Sequence, residues 1–583
     1  MLAAQPDTLQ AVTVVADRGV VVSRTDTVKI QSLSSVGMAL QTVPGLYLGD
    51  NGGAAGLKTV SLRGMGSAHT ALYVDGLRVG NVQSGQNDLG FLAWQDLESV
   101  VVDYAQNSVS FLTRKPVFKN GPVAGTVRLN GGSFGTWQPY GKLSFRLNED
   151  VSLSAYAGGN FSNGAFPLAD GSTRSNNFFR QQQLGGDIWA NIPGGDVHAK
   201  LYYNRSNRGT PGSLSWPSTD SQKDRNFLAQ WMMRKSVSPV YTLHLSAKGS
   251  YDRLLYISEW GDSDYAQTEL QLNSVHKFTL APWWDLSLTG DVSVDGLNSN
   301  LYTRQRVGTV WALATAFHTA RLKADLALSY EGVFDQGGSH WNSLSPSADL
   351  RFKVLESLDI VAFGRRAYRT PTFNELYYPG YGNPELKPED AWLTDLGVDW
   401  HRTSGAWNFK GRADAFYNFL TNKIISAPSA ADPNVWLPYN VGKVQAFGAD
   451  LLLAVEHSGA FTWGVSARYS FQNAIDKTPD SYSFGQQIPY IAKHTVVLTA
   501  DAAWKGWALN ALWNLRAGRK DSMGDMPNWN TLDLTAGKTF CLGKAGSLAL
   551  RVMGRNLFDC RYETVSGYPM PGRSFLAGLE YKF

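Results

Sequence analysis

From Val123 to Phe583 the sequence alternates apolar and polar residues in short runs and never builds a long apolar one. Val151, Leu153, Ala155 and Ala157 alternate with Ser152, Ser154 and Tyr156. Tyr241, Leu243, Leu245 and Ala247 alternate with Thr242, His244, Ser246 and Lys248. Leu548, Leu550 and Val552 do the same with Ala549, Arg551 and Met553. A period of two puts successive side chains on opposite faces, so each run reads as a strand with one apolar and one polar face. Turn-forming clusters such as Asn148–Asp150, Asn191–Asp196 and Gly543–Gly546 separate these runs. At roughly 10 residues per tilted membrane-crossing strand and connections of similar mean length, the span holds about 22 strands. A soluble sandwich repeats at a shorter spacing, about 8–12 residues. The pattern predicts an all-β transmembrane barrel of antiparallel strands.

Composition excludes several other classes. Aromatic residues at 12%, 58 glycines and only 17% charged residues suit many strands and turns and suit disorder badly. Lys and Arg number 53 against 49 Asp and Glu, with no charge run long enough for a nucleic-acid arm. No apolar run reaches the length of a transmembrane helix, a test that a strand-built barrel passes untouched. Cys541 and Cys560 are too few for a disulfide framework or a structural zinc site. They are expected near opposite ends of one strand of about ten residues, which at ~3.3 Å per residue is far beyond disulfide reach. Met1–Gln5 resembles the tail of a signal peptide without its charged and apolar regions, so the chain is expected to be essentially the mature form.

The N-terminal part has a different grammar. Asp7–Ala16 is a short β-prone run without a local partner. Within Ile30–Leu46, Ser34 or Ser35 can cap a short helix carrying Met38, Leu40 and Val43, which Pro44-Gly45 ends. Leu57–Gly64 and Thr70–Val79 read as short strands, since Val60 and Leu62 alternate with Ser61 and Arg63, and Leu72 and Val74 with Tyr73 and Asp75. Leu97–Val102 and Phe111–Pro116 supply two more. From spacing alone this is a small α+β domain with two hairpins.

The pattern V-S-L-R-G-M-G-S-A-H-T-A-L-Y-V-D-G-L-R-V at Val60–Val79 resembles the plug of TonB-dependent outer-membrane transporters. The resemblance implies a 22-stranded barrel whose lumen holds an N-terminal α+β plug. It divides the chain into a periplasmic tail at 1–18, a plug at 19–121 and a barrel at 122–583. Val12, Thr13, Val14, Val15 and Ala16 then look like the Ton box, a segment that adds as a strand to the energising protein TonB. Family plugs carry a glycine-rich stretch between their last two strands. Here only Asp103–Ser110 stands in that place, so the plug is shorter by about one loop. For the terminal Phe583, on one face with Phe575, Ala577, Leu579 and Tyr581, the resemblance implies recognition by the barrel assembly machinery. The same resemblance places the chain in the bacterial outer membrane, among its lipids, with the N-terminus periplasmic. Asp559–Pro571 is then an external loop and Leu542–Gly546 a periplasmic turn.

No catalytic motif accompanies this pattern. Ser/His/Asp order, paired carboxylates, H-E-x-x-H, P-loop and C-x-x-C are absent, and the nine histidines are scattered. His69 stands alone beside the Thr70–Val79 strands, and Gly131–Gly135 is a turn rather than a dinucleotide loop. The chain is therefore read as a binding and transport protein, not an enzyme. Asn51, Gly52, Gly53, Ala54, Gly56 and Leu57 can form a hairpin tip presenting backbone amides. Gln83, Ser84, Gln86 and Asn87 form a second polar loop, and Trp216, Tyr377, Tyr378, Tyr381, Trp436 and Tyr568 fall in expected external loops. Rings and amide-rich loops suit a large, flat, amide-bearing ligand.

Within the family, the cobalamin receptor type is the nearest resemblance. It rests on D-T-L at Asp7–Leu9, N-G-G-x-x-G-L-x-x-V-x-x-R-G at Asn51–Gly64 and Y-G-N-P-E-L-K-P-E at Tyr381–Glu389. Y-N-V-G-K at Tyr439–Lys443 and N-L-F-D-x-x-Y-E-T-V-x-G-Y at Asn556–Tyr568 complete it. G-N-P-x-L-K-P-E and N-L-F-D also occur in siderophore receptors, so a ferric-siderophore receptor is the alternative. A diffusion porin or structural barrel is the alternative from another class. The two plug loops contain no Lys or Arg, and Asp88 is their only charge, which weighs toward a neutral corrinoid over an anionic chelate. The resemblance also raises an external calcium loop. Asp220 and Asp224, with Asp262 and Asp264, are a thin match, and no cofactor is assigned. A surface lipoprotein is a further partner the resemblance allows, and no nucleic-acid partner is expected.

Overall fold

The computed structural model describes residues 24–30, 35–119, 121–428, 436–521 and 523–583. The Ton-box residues Val12, Thr13, Val14, Val15 and Ala16, and Ser34, lie outside them. The plug strands are β1 (Thr25–Lys29), β2 (Leu46–Asp50), β3 (Lys58–Leu62), β4 (Ala71–Val74), β5 (Leu77–Val79), β6 (Leu97–Asp103) and β7 (Ser108–Thr113). Five of them make a mixed sheet in the order β1-β6-β7-β4-β5, and β2 and β3 form a separate hairpin. Helix α1 (Val36–Gln41) starts where the Ser35 hydroxyl accepts the Met38 N–H at 3.3 Å. It buries Met38, Ala39 and Leu40, as its apolar spacing requires. Strands β6 and β7 are joined by the tight turn Tyr104–Asn107, so the shortened segment is a hairpin turn rather than a missing wall contact. Tyr104 fills the space beside it, its hydroxyl proton shared between Asp26 at 2.8 Å and the Pro44 carbonyl at 3.0 Å.

Around the plug, 22 antiparallel strands close into a barrel, sealed where Ser574–Lys582 pairs with Val123–Gly132. Its burial is inverted relative to a soluble protein. Leu184, Leu201, Leu270, Leu396 and Leu453 are exposed on the outer face, while Gln181, Gln183, Asn204, Asp414 and Asp450 are buried toward the lumen. Only a lipid-facing wall around a filled, polar lumen makes that arrangement favourable. The strands run from 9 residues at Ser574–Lys582 to 22 at Trp407–Pro428. They therefore exceed the expected ten on average, and tight periplasmic turns such as Pro193-Gly194 offset the excess. Cys541 and Cys560 are both free thiols.

Packing and charge lock the plug to the wall. The plug core of Leu40, Val43, Val100, Val109 and Phe111 continues into the wall residues Ala391, Leu393, Leu420 and Val444. Arg63 is the central polar link. Its guanidinium donates to Asp395 at 2.7 Å and to Asp450 at 2.9 and 3.1 Å, and lies 4.4 Å from the ring centres of both Tyr104 and Phe416. Arg24 pairs with Asp399 and Asp414, and Arg412 reaches Asp26 and Asp414 at 2.8 Å. Lys142 to Asp96 at 2.8 Å and Lys200 to Asp75 at 3.2 Å tie the plug to the opening strands of the wall.

Candidate ligand-binding site

The external face of the plug and one sector of the wall enclose a cavity of about 420 Å³. Its floor is the β2–β3 hairpin tip and the loop after β5. The tip folds because its glycines allow it. Gly52 and Gly53 sit at φ of 100° and 88°, and a Cβ on Gly56 would stand 2.6 Å from the Asn51 backbone. The Asn51 N–H bonds the Leu57 carbonyl at 3.1 Å, and the Gly53 N–H bonds Asp50 at 2.8 Å. Lys58 turns its ammonium back onto the Gly53 and Gly56 carbonyls. The tip therefore uses these two amides internally, and what it offers the cavity is mainly the edges of Asn51, Ala55, Gly56 and Leu57.

The wall side is a polar ladder in which the carboxamides of Asn204 and Asn226 and the carboxylate of Asp252 line the cavity and Gln181 continues it behind the lining. Strand pairing puts Asn204, Asn226 and Asp252 directly opposite one another on three neighbouring strands, with Gln181 one step diagonal on a fourth. Gln181 donates to Asn204 at 2.9 Å, Asn204 to Asn226 at 2.8 Å and Asn226 to Asp252 at 2.7 Å. Asp224 accepts from Ser206 and Gln222, both at 2.7 Å. Phe179, Tyr202, Phe227, Tyr256 and Tyr568 supply rings. The cations of the lining are all matched: Arg208 to Asp88 at 2.6 Å, Lys248 to Glu269 at 2.6 Å, and Arg253 to Asp264 at 2.9 Å through its Nε. Burial pushes the Asp88 carboxyl up, but Arg208 and the Gly90 and Lys58 N–H groups hold it below the ordinary aspartate value. The lining is thus rich in neutral donors and acceptors, with no unpaired cation among the described residues.

Some of the sequence-derived candidates meet here and others do not. Asn51, Gly56, Leu57, Ser84, Gln86, Asn87 and Tyr568 line the cavity. Gly52 faces away and accepts from Asn177 at 3.1 Å, Gly53 packs against Pro571, and Ala54 is half-buried outside the lining. Gln83 is buried and ties its loop to helix α2 (Phe373–Tyr377), its carbonyl accepting the Asn374 N–H at 2.9 Å. Tyr377, Tyr378 and Tyr381 gather around α2 in another rim sector, where Tyr377 donates to Asp335 at 2.8 Å and Tyr381 contacts Ser426 at 2.6 Å. Trp216 and Trp436 are exposed at 83% and 55%, outside the cavity.

The aspartates raised for calcium do not share a loop. Asp224 belongs to the strand Ser221–Ser238, because alternation continues past the membrane, and Asp264 to Ser263–Ala281, where Arg253 neutralises it. Asp220 accepts from Tyr256 at 2.7 Å. Among the described residues, no three Asp, Glu, His or Cys side chains converge to hold a metal ion. Asn204, Asn226, Asp252, Arg208 and Lys248 were missed by the sequence reading. Their alternation marks a lumen face, but only the docked plug tells which part of that face borders a cavity.

Comparison with known proteins fits this architecture. Residues 7–116 match the TonB-dependent receptor plug domain, and residues 116–557 match the TonB-dependent receptor-like β-barrel. The chain is similar to the vitamin B12 transporter BtuB of Vibrio vulnificus, at 23% identity over 93% of this chain and 89% of that one. Among solved structures it resembles the copper transporter OprC, with a TM-score of 0.79 at 14% identity over 96% and 98% of the two chains. It also resembles the FrpB iron transporter of Neisseria meningitidis, with a TM-score of 0.78 at 14% identity over 96% and 99%. At such identities the structural likenesses speak for the fold alone. A plug-filled barrel of 22 strands, matched over both of its parts, places this chain in the TonB-dependent receptor family, as an outer-membrane transport protein with its N-terminal end in the periplasm.

Proposed function

We propose that this receptor takes up cobalamin or a related corrinoid, with TonB pulling on Val12–Ala16 to release the solute inward. In this reading the tail is 1–18, the plug 19–121 and the barrel 122–583. The observation that carries the ligand assignment is the cavity lining. It combines a hydrogen-bonded ladder of carboxamides and a carboxylate with aromatic rings and leaves no free cation among the described residues, which suits an uncharged, amide-fringed solute. An anionic ferric chelate calls for the opposite, a cluster of unpaired Arg and Lys. Likeness to the vitamin B12 transporter along 93% of the chain supports the same choice. Asn51, Gly56, Leu57, Ser84, Gln86, Asn87 and Tyr568 are the proposed contacts.

Energy enters as force on the plug, so binding and uptake are separable. In cells lacking their own cobalamin receptor, the intact chain is expected to accumulate labelled cyanocobalamin only when TonB is present. Deleting Asp7–Ala16 should abolish accumulation and leave surface binding at the level of the intact chain. Accumulation that survives the deletion refutes the mechanism.

A further inference from the structure

Beside β2 a second, smaller recess of about 30 Å³ opens between Tyr47 and Leu48 of the plug and Gln472, Arg516, Arg519 and Trp529 of the wall side. Arg516 and Arg519 are buried, at 8% and 3% exposure. Other deeply buried arginines of the lumen, such as Arg24, Arg63, Arg128 and Arg306, are each matched to a carboxylate. These two have no carboxylate within ion-pair distance among the described residues. Arg516 donates to the Gln41 carbonyl at 3.2 Å and the Leu515 carbonyl at 3.4 Å. Arg519 donates to the carbonyls of Glu563 at 2.7 Å and Thr564 at 3.0 Å, and contacts the Met526 sulfur at 3.5 Å. The nearby Glu563 carboxylate instead accepts the Gly567 N–H at 2.7 Å.

A third donor borders the same recess. Among the described residues the buried Trp529 indole N–H has no acceptor, and the Gln472 carboxamide there has an unpartnered oxygen. Burying two unpaired cations and an orphan N–H is unfavourable unless something negative answers them. Guanidinium forks fit the oxygens of a carboxylate or phosphate. The recess has room for a small anionic group and not for a whole solute. One external loop reaches both, since Thr564 borders the recess and Tyr568 the ligand cavity.

We propose that Arg516, Arg519 and the Trp529 indole N–H form an oxyanion-binding subsite at the seam between β2 and the barrel wall. Its occupant is a phosphate or carboxylate group, brought by a free inorganic anion or carried on the transported solute. The second source rests on the corrinoid reading, because cobalamin carries a phosphodiester.

The test uses the full chain in detergent at constant ionic strength, with inorganic phosphate replacing chloride. The unfolding midpoint of the unaltered protein is expected to rise with the logarithm of phosphate concentration, as binding to the folded state alone requires. Arg516→Gln/Arg519→Gln should lose that rise. Trp529→Phe, which keeps both charges and the ring, should need several-fold more phosphate for the same rise. Absence of any phosphate-dependent rise in the unaltered protein, or an undiminished rise in the double variant, overturns the proposal. Displacement of phosphate by cyanocobalamin but not by cobinamide, which lacks the phosphodiester, identifies the solute as the source. Phosphate binding untouched by either corrinoid identifies the free anion. Should no corrinoid bind this protein anywhere, the ligand assignment falls while the phosphate result still decides the subsite.

Discussion

Arg63→Met removes the cation that Asp395 and Asp450 share, leaving carboxylates that expose 0% and 1% of their side-chain surface. Methionine still fills the slot between Tyr104 and Phe416, so the packing loss is small and the electrostatic loss dominates. Breaking a buried ion pair from one side costs about 3–5 kcal/mol. The cost falls on plug docking, because the ladder of the barrel is untouched. At about 1.4 kcal/mol per factor of ten, opening of the plug around β3 should become on the order of a hundred- to several-thousand-fold more frequent. Native-state hydrogen exchange of the peptides covering Lys58–Leu62 and Leu97–Asp103, followed by mass spectrometry, reads that opening directly. Arg63→Met/Asp395→Leu/Asp450→Leu should recover most of the protection, since replacing a whole buried ion cluster by apolar groups is close to neutral. Exchange of the single variant within threefold of the unaltered chain would refute the assignment of Arg63 as the central polar lock.

Three further outcomes follow from the same structure. In planar bilayers the intact chain should be silent and a chain lacking residues 1–121 should conduct, and large currents from the intact chain would contradict a filled lumen. Burial raises the Asp103 carboxyl to about 6, against the pull of the Gln106 N–H and Arg365, so the folded plug holds that proton more tightly than the unfolded chain does. Plug stability should therefore gain as pH falls through about 6 and level off near 4, and Asp103→Asn should lack this component in exchange measured across that range. Gln86→Ala and Asn87→Ala should each weaken corrinoid binding by about 3- to 10-fold, the worth of one neutral hydrogen bond, while Trp436→Ala leaves it unchanged in equilibrium titrations.

The parts of this structure that depend on neighbouring residues were legible in the sequence. Alternation such as Val151–Ala157 fixes strand and face together, and Ser35 with Pro44-Gly45 brackets α1 at both ends. Strand length was less legible, because alternation in Trp407–Pro428 continues with polar residues beyond the lipid, and that is also why Asp224 looked like a loop residue. Contacts between distant segments were out of reach. Arg63 meets partners 332 and 387 positions away, and nothing local in the sequence marks Asp395 or Asp450 as their match. The same holds for the rim tyrosines. Tyr377, Tyr378 and Tyr381 read as external-loop residues, and the capping box of α2, between Thr372 and Glu375, gathers them into their own cluster outside the cavity lining.

The ligand proposed for this cavity is a neutral, amide-rich solute. Equilibrium binding of cyanocobalamin, set beside a panel of ferric siderophores on the same purified receptor, tests it most directly. The corrinoid is expected to bind at sub-micromolar concentration and the anionic siderophores much more weakly. Sub-micromolar binding of a siderophore with none of the corrinoid would contradict the ligand assignment, while leaving the receptor family and its plug-filled barrel as they stand.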